Sequence, residues 1–172
     1  YGTVTGVQTC ALPICKKQKS SKIIMRYFIF FGYDGTNYHG WQIQPNANSV
    51  QQELQRALSI LLRKDIEVVG AGRTDTGVHA RHMAAHFDWT SSSEEAERQE
   101  EAKLPMALDQ LAYRLNRILP RDIAIYEVRE VSPEMHARFS ATLRTYHYYI
   151  HTQKDPFRSE ERRVGKECRS RW

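Results

Sequence analysis

Arg73 and Asp75 stand two residues apart in Gly70-Ala71-Gly72-Arg73-Thr74-Asp75-Thr76-Gly77-Val78-His79-Ala80, a stretch bracketed by glycines with small or β-branched residues in the gaps. Glycine tolerates φ > 0 and the close approach of another backbone or a ligand, so such a loop can point a guanidinium and a carboxylate into one crevice. A carboxylate beside a guanidinium stays ionised, which suits a nucleophile or an electrostatic anchor better than a general acid. The plain alternative is a glycine-rich turn with a surface ion pair. Two phosphate-loop patterns are absent: no Gly-Lys-Ser/Thr is present, and the glycines are not spaced as G-x-G-x-x-G.

Two further clusters carry chemistry-bearing side chains. His79-x-x-His82-x-x-x-His86 would stack three imidazoles on a helix, a spacing open to zinc and to a metallohydrolase. The segment is short, follows the glycine loop and ends in Phe87-Asp88-Trp89, so it reads as a strand. On a strand His79 faces away from His82 and His86, the triad breaks, and no metal is expected. From Met135 to Tyr146 basic and aromatic residues alternate, with Arg138, Phe139, Arg144 and Tyr146. Either this is an amphipathic strand with solvated arginines, or an RNA groove with guanidinium groups on phosphates and a ring for base stacking.

The elements that must position these residues are legible in outline. Met25–Asp34 is aromatic and β-branched, a strand signal, with Tyr27, Ile29, Phe31 and Tyr33 on one face and Phe28 and Phe30 on the other. Apolar residues on both faces predict a central or doubly covered strand. A turn-rich loop follows with Tyr38 and Trp41, rings that serve either as anchors or as platforms for a planar ligand. Ser49-Val50-Gln51-Gln52 reads as a capping box, and Val50, Leu54, Leu58 and Leu61 as the stripe of a helix ending near Arg63. Strands are expected at Ile66–Val69, His79–Trp89, Ile123–Val131 and Tyr146–His151. A second helix, with Pro105 in its first turn and the stripe Leu108, Leu111, Leu115 and Ile118, stops before Pro120. Ser91–Lys103 is polar and reads as a solvated helix or insertion. The order strand, helix, strand, strand, helix, strand predicts an α+β fold: a ferredoxin-like split β-α-β antiparallel sheet with helices on one face.

Charge and cysteines set bounds. The chain has 172 residues and a net charge of +5, but the lysines of residues 1–22 and the basic excess of 158–172 account for more than all of it. The middle is slightly acidic, so overall basicity is no argument for nucleic acid. Residues 1–22 and 158–172 read as foreign or disordered tails resembling adapter read-through, which leaves one domain at 23–157. Cys10, Cys15 and Cys168 all fall in the tails, so neither a disulfide nor a zinc site is expected. A domain free of cysteine agrees with a cytoplasmic enzyme. No apolar run is long enough to span a bilayer, and basic residues follow rather than precede the short apolar patch near the start.

Five blocks occur in one order: Tyr33-Asp34-Gly35-Thr36-x-Tyr38-x-Gly40-Trp41-Gln42; Ser49-Val50-Gln51; Gly72-Arg73-Thr74-Asp75-x-Gly77-Val78-His79-Ala80; His136-Ala137-Arg138-Phe139-Ser140-Ala141; and Arg144-x-Tyr146-x-Tyr148. On these blocks, residues 25–157 resemble the N-terminal part of a tRNA pseudouridine synthase of the TruA family. The resemblance implies a tRNA pseudouridine(38–40) synthase, an isomerase that turns uridine into pseudouridine in the anticodon stem-loop of tRNA without metal or organic cofactor. It implies Asp75 as nucleophile, Arg73 as its partner, and Tyr146 for base stacking and proton transfer. Arg81, Arg138 and Arg144 are assigned to phosphate contacts that offset the cost of flipping out the base. The family works as a homodimer with its cleft between two related halves. Only the first half is matched here, so this chain alone is expected to have little or no activity. The reading from another class is a non-catalytic RNA-binding module of the same fold.

Overall fold

Alternation in a run of aromatic and β-branched residues builds the first strand. In the computed structural model, which describes residues 24–90 and 104–148, β1 spans Ile24–Tyr33. Tyr27, Ile29, Phe31 and Tyr33 are buried on one face, as the period of two requires. β1 pairs antiparallel on one side with β3 (Ala80–Thr90) and on the other with β4 (Ile123–Val131). β3 in turn pairs antiparallel with the short β2 (Val68–Gly70). The sheet order is β2-β3-β1-β4, so the strand with apolar residues on both faces is a central one.

Two helices supply the rest of the core. In α1 (Val50–Leu62) the Ser49 hydroxyl accepts from the Gln52 N–H at 3.3 Å, the first half of the expected capping box. Arg63, with φ of 52°, turns the chain out of the helix. Val50, Leu54 and Leu58 are buried as expected, and Ala57 and Leu62 join them, while Leu61 is half-buried. α2 spans Leu108–Ile118 and buries Leu111 and Leu115. Pro105 lies in a turn ahead of α2, not in its first turn. The inner residues of both helices and of all four strands form one cluster, where a fully buried leucine is worth roughly 2 kcal/mol. The result is a small α+β domain with a four-stranded antiparallel sheet and two helices.

Side chains from the helices complete the sheet's backbone bonding. Gln55 accepts from the Val68 N–H at 3.1 Å and Gln51 donates to the Val68 carbonyl at 2.7 Å, which finishes the outer edge of β2. The β1–β4 register shifts between Phe30 and Phe31. Near that bulge Asn116 of α2 donates to the Ile125 carbonyl at 2.8 Å and accepts its N–H at 2.7 Å.

The main unit ends at Ser140 and a second, short unit begins at Ala141. Its described residues, 141–148, have no regular secondary structure. The strand expected over Tyr146–His151 is therefore not formed at 146–148, and 149–151 lie outside the described residues. A strand-like pattern becomes a strand only where a neighbouring edge takes its backbone groups, and the described residues supply none here. Ser91–Lys103 and both expected tails also lie outside the described residues.

Candidate functional site

The loop between β2 and β3 is fixed through its main chain. Ala71 N–H donates to the Ala84 carbonyl at 2.8 Å, carrying the ladder one residue past β2. Beyond that the loop hangs on the segment following β1. Trp41 N–H donates to the Thr74 carbonyl at 3.1 Å, and Gly77 N–H donates to the Tyr38 carbonyl at 3.2 Å. Gly40 has φ of 95°, and a Cβ there would run into the Thr74 carbonyl, so only glycine allows this approach. Gly77, with φ of 78°, closes a tight turn in which Val78 N–H donates to the Asp75 carbonyl at 3.2 Å. The Tyr33 hydroxyl lies 2.8 Å from the Thr74 hydroxyl, and burial raises the Tyr33 phenol above its ordinary pKa.

Asp75 thus sits on a main chain held on both sides, with its side chain exposed. Arg73 is exposed as well, and among the described residues no hydrogen bond or ion pair joins the two side chains. The expected carboxylate–guanidinium pair is not made here, which fits the small gain that a fully hydrated pair offers.

The structure decides the role of the two rings in the preceding loop. Tyr38 and Trp41 are only 4% and 3% exposed, so they are anchors and not open platforms. Trp41 packs on Phe31 with ring centres 5.6 Å apart. The Tyr38 hydroxyl donates to Asp122 at 2.7 Å. Burial, together with that carboxylate, pushes the phenol well above its ordinary range. Beside them the Asp34 carboxylate takes the Thr36 hydroxyl at 2.6 Å and N–H at 2.9 Å, which holds it below the usual carboxylate range. His79 Nδ1 lies 2.9 Å from Asp34 and 3.1 Å from the Gly35 N–H. A ring protonated on Nδ1 satisfies the first, a neutral ring protonated on Nε2 satisfies the second, and one nitrogen cannot do both.

The three histidines have separate neighbourhoods. His79 meets Asp34, and His82 packs between Phe30 and Tyr126. His86 packs between Phe28 and His136. Among the described residues no three His, Cys, Asp or Glu side chains converge as metal ligands. Arg81 is exposed on β3, its carbonyl accepting from the Tyr126 hydroxyl at 3.1 Å.

Arg138 and Phe139 are exposed on a turn after β4, with the guanidinium carbon 5.8 Å from the ring centre. Arg144 and Tyr146 are exposed in the second unit. The turn is held by residues to which sequence reasoning gave no such role. Arg26 grips Asp88 with a two-pronged ion pair of 2.6 and 2.7 Å and donates its remaining nitrogen to the Met135 carbonyl at 2.9 Å. The Arg26 hydrogen bond holds the Asp88 carboxyl below its ordinary pKa. His86, 3% exposed, accepts the Ala137 N–H on Nδ1 at 3.2 Å. Burial first, then the nearby Arg26 and His136 charges, push the His86 pKa down to about 4. Arg26 and Asp88 are cross-strand partners in the β1–β3 register, a signal available only once that register is known.

The described residues thus form a small α+β domain that fixes the main chain of an exposed aspartate between glycines and carries Arg138 on a turn docked beside its sheet. The sequence pattern of a family described as tRNA pseudouridine synthase matches residues 29–140. The chain is 55% identical over 139 residues to tRNA pseudouridine synthase A of Bacteroides fragilis, a match spanning 81% of this chain and 50% of that protein. The like-named proteins of Bacteroides thetaiotaomicron and Porphyromonas gingivalis are 54% and 50% identical, over 81% and 77% of this chain and 47% and 48% of theirs. The chain belongs to the tRNA pseudouridine synthase family. It spans about half the length of the curated relatives it matches.

Proposed function

We propose that the chain supplies the nucleophile side of a site that isomerises uridine to pseudouridine in the anticodon stem-loop of tRNA. The observation that carries this reading is Asp75, inside the family-matched region and on a main chain fixed at both flanks. Its carboxylate acts as the nucleophile, and the bond between uracil N1 and ribose C1′ breaks with the electron pair staying on the base. The base turns and bonds to C1′ through C5, and the C5 proton is lost while N1 takes one up. The bond made by Asp75 is released, so that the carboxylate is restored. Arg73 steadies the carboxylate when the site closes around substrate and water leaves, the condition that strengthens such a pair. Tyr146 stacks on the uracil and serves the C5 proton transfer, while Arg81, Arg138 and Arg144 take phosphates. The family resemblance implies no metal and no organic cofactor for this isomerisation.

The same reading takes the strand order and the two helices as a ferredoxin-like split β-α-β with both helices on one face. It places the domain at residues 23–157, in a cytoplasmic enzyme that works as a homodimer. None of the helices among the described residues is long and apolar enough to cross a membrane. The 172-residue chain by itself is expected to be nearly inactive, since it spans half the length of its relatives.

Tritium release from C5-labelled uridine in tRNA tests the reading. Turnover by this chain close to that of a full-length relative would sink the expectation of inactivity. In a full-length form, Asp75→Asn should cut release at least about a thousandfold while tRNA affinity stays within about twofold. Unchanged release in that variant would remove Asp75 as nucleophile. Tritium release absent from the unsubstituted full-length form as well, with tRNA affinity intact, would favour the non-catalytic binding module.

A further inference from the structure

His86 is the most deeply buried of the described histidines, and its one hydrogen bond among the described residues is with a backbone N–H 51 residues further along the chain. An N–H aimed at a ring atom needs a lone pair there, so Nδ1 must be unprotonated and the neutral ring carries its proton on Nε2. Turning the ring over would put a C–H against the Ala137 N–H and leave a buried donor unpaired. His136 repeats the arrangement inside the turn: its Nδ1 lies 3.1 Å from the Arg138 N–H, and its ring centre lies 4.5 Å from that of His86. The Ser140 hydroxyl accepts the His136 N–H at 2.9 Å, and the Ala137 side chain is buried. The titratable and charged groups around His86 are Arg26 on β1, Asp88 on its own strand, and His136 on the turn.

We propose that His86 is a positioning residue: as an acceptor for Ala137, backed by Arg26 on the Met135 carbonyl, it docks the Met135–Ser140 turn on the sheet and aims Arg138 and Phe139 at an RNA strand. The docking claim rests on the hydrogen-bond geometry alone; the RNA claim rests on the reading under Proposed function. The ring itself touches no substrate. It acts through the turn, with Arg138 the guanidinium that meets phosphate and Phe139 the exposed ring beside it.

Two substitutions in this chain test it. His86→Phe keeps a ring of similar size and removes the acceptor; His86→Asn places an amide oxygen near the position of Nδ1. In the unsubstituted chain, long-range nitrogen–proton spectra should show the His86 proton on Nε2. His86→Phe should speed hydrogen exchange at the Ala137 amide about tenfold and weaken binding of a synthetic tRNA anticodon stem-loop about five- to tenfold. His86→Asn should bring both back to within about twofold of the unsubstituted chain. A proton on Nδ1, equal Ala137 exchange in all three proteins, or faster exchange with unchanged RNA affinity overturns the proposal. Failure of the unsubstituted chain to bind the stem-loop overturns its RNA half together with the tRNA reading, and the exchange measurement still decides the docking.

Discussion

The glycine loop at Gly70–Ala80 and the turn at Met135–Ser140 both carry exposed, chemistry-bearing side chains, and they are held by opposite chemistry. The loop hangs on main-chain bonds from Trp41 and Gly77 and on the positive φ of Gly40 and Gly77. None of those groups titrates. The turn hangs on two imidazoles, each accepting a backbone N–H, and on the guanidinium of Arg26. On the proposed reading the Asp75 carboxylate attacks along one direction, which a support without titratable parts favours. On the same reading Arg138 meets a phosphate, where the long-range Coulomb part survives a loosened turn and the bidentate hydrogen bonds do not, so the expected loss is graded.

The hardest blow to this contrast is Gly40→Ala. The new Cβ would have to occupy a left-handed backbone at φ of 95° and press on the Thr74 carbonyl. The two penalties together are about 3–5 kcal/mol. Urea unfolding should show the loss. Hydrogen exchange should place its first effect at the Trp41 and Gly77 amides, leaving Ala137 near its original protection. Loosening at Ala137 before Trp41 would mean that the two supports are coupled.

Acid should do the reverse. Unfolded His86 takes a proton near 6.5, whereas in the fold it does so only at about 4. Between those values the unfolded state holds more protons, so stability falls as pH drops from about 6.5 to about 4, by up to roughly 3 kcal/mol. Asp88, held below its ordinary value by Arg26, gives up its contribution only when pH falls through its lower folded pKa. Protection of Ala137, corrected for intrinsic exchange, should decline across the first window faster than that of Trp41 and Gly77. Protection that falls equally at all three amides would show that the turn has no weakness of its own.

How much of this could be read from the residues alone varies with how local each cause is. β1 and α1 were legible because alternation, a serine cap and an apolar stripe act within a few residues. The start of α2 was misplaced because Pro105 is compatible with a first turn, and nothing in the sequence says that the helix waits until Leu108. The glycine loop stood out by residue type, but the Arg73–Asp75 pair did not form, since exposure and not spacing decides whether such a pair is worth making. Tyr38 could be an anchor or a platform until Asp122, 84 residues away, settled it. The docking role of His86 had no sequence signal at all, because its partner is a peptide N–H, which every residue but proline carries.

The gentlest test separates the two supports within the loop itself. Tyr33 lies under Thr74, its hydroxyl bridging to the threonine at 2.8 Å and lying 3.7 Å from the Met83 sulfur. Tyr33→Phe leaves the ring against Phe31 and removes only that hydroxyl. The Thr74 hydroxyl is partly buried and loses one partner, a change of about 1 kcal/mol. If main-chain bonds alone aim Asp75, this variant melts slightly earlier, yet in a full-length form it keeps tritium release within about twofold of the unsubstituted enzyme. A loss well beyond that would place the Tyr33 hydroxyl among the groups that aim the carboxylate. The loop's support would then include a side chain, and its contrast with the histidine-held turn would narrow to whether that side chain titrates in the range where the enzyme works.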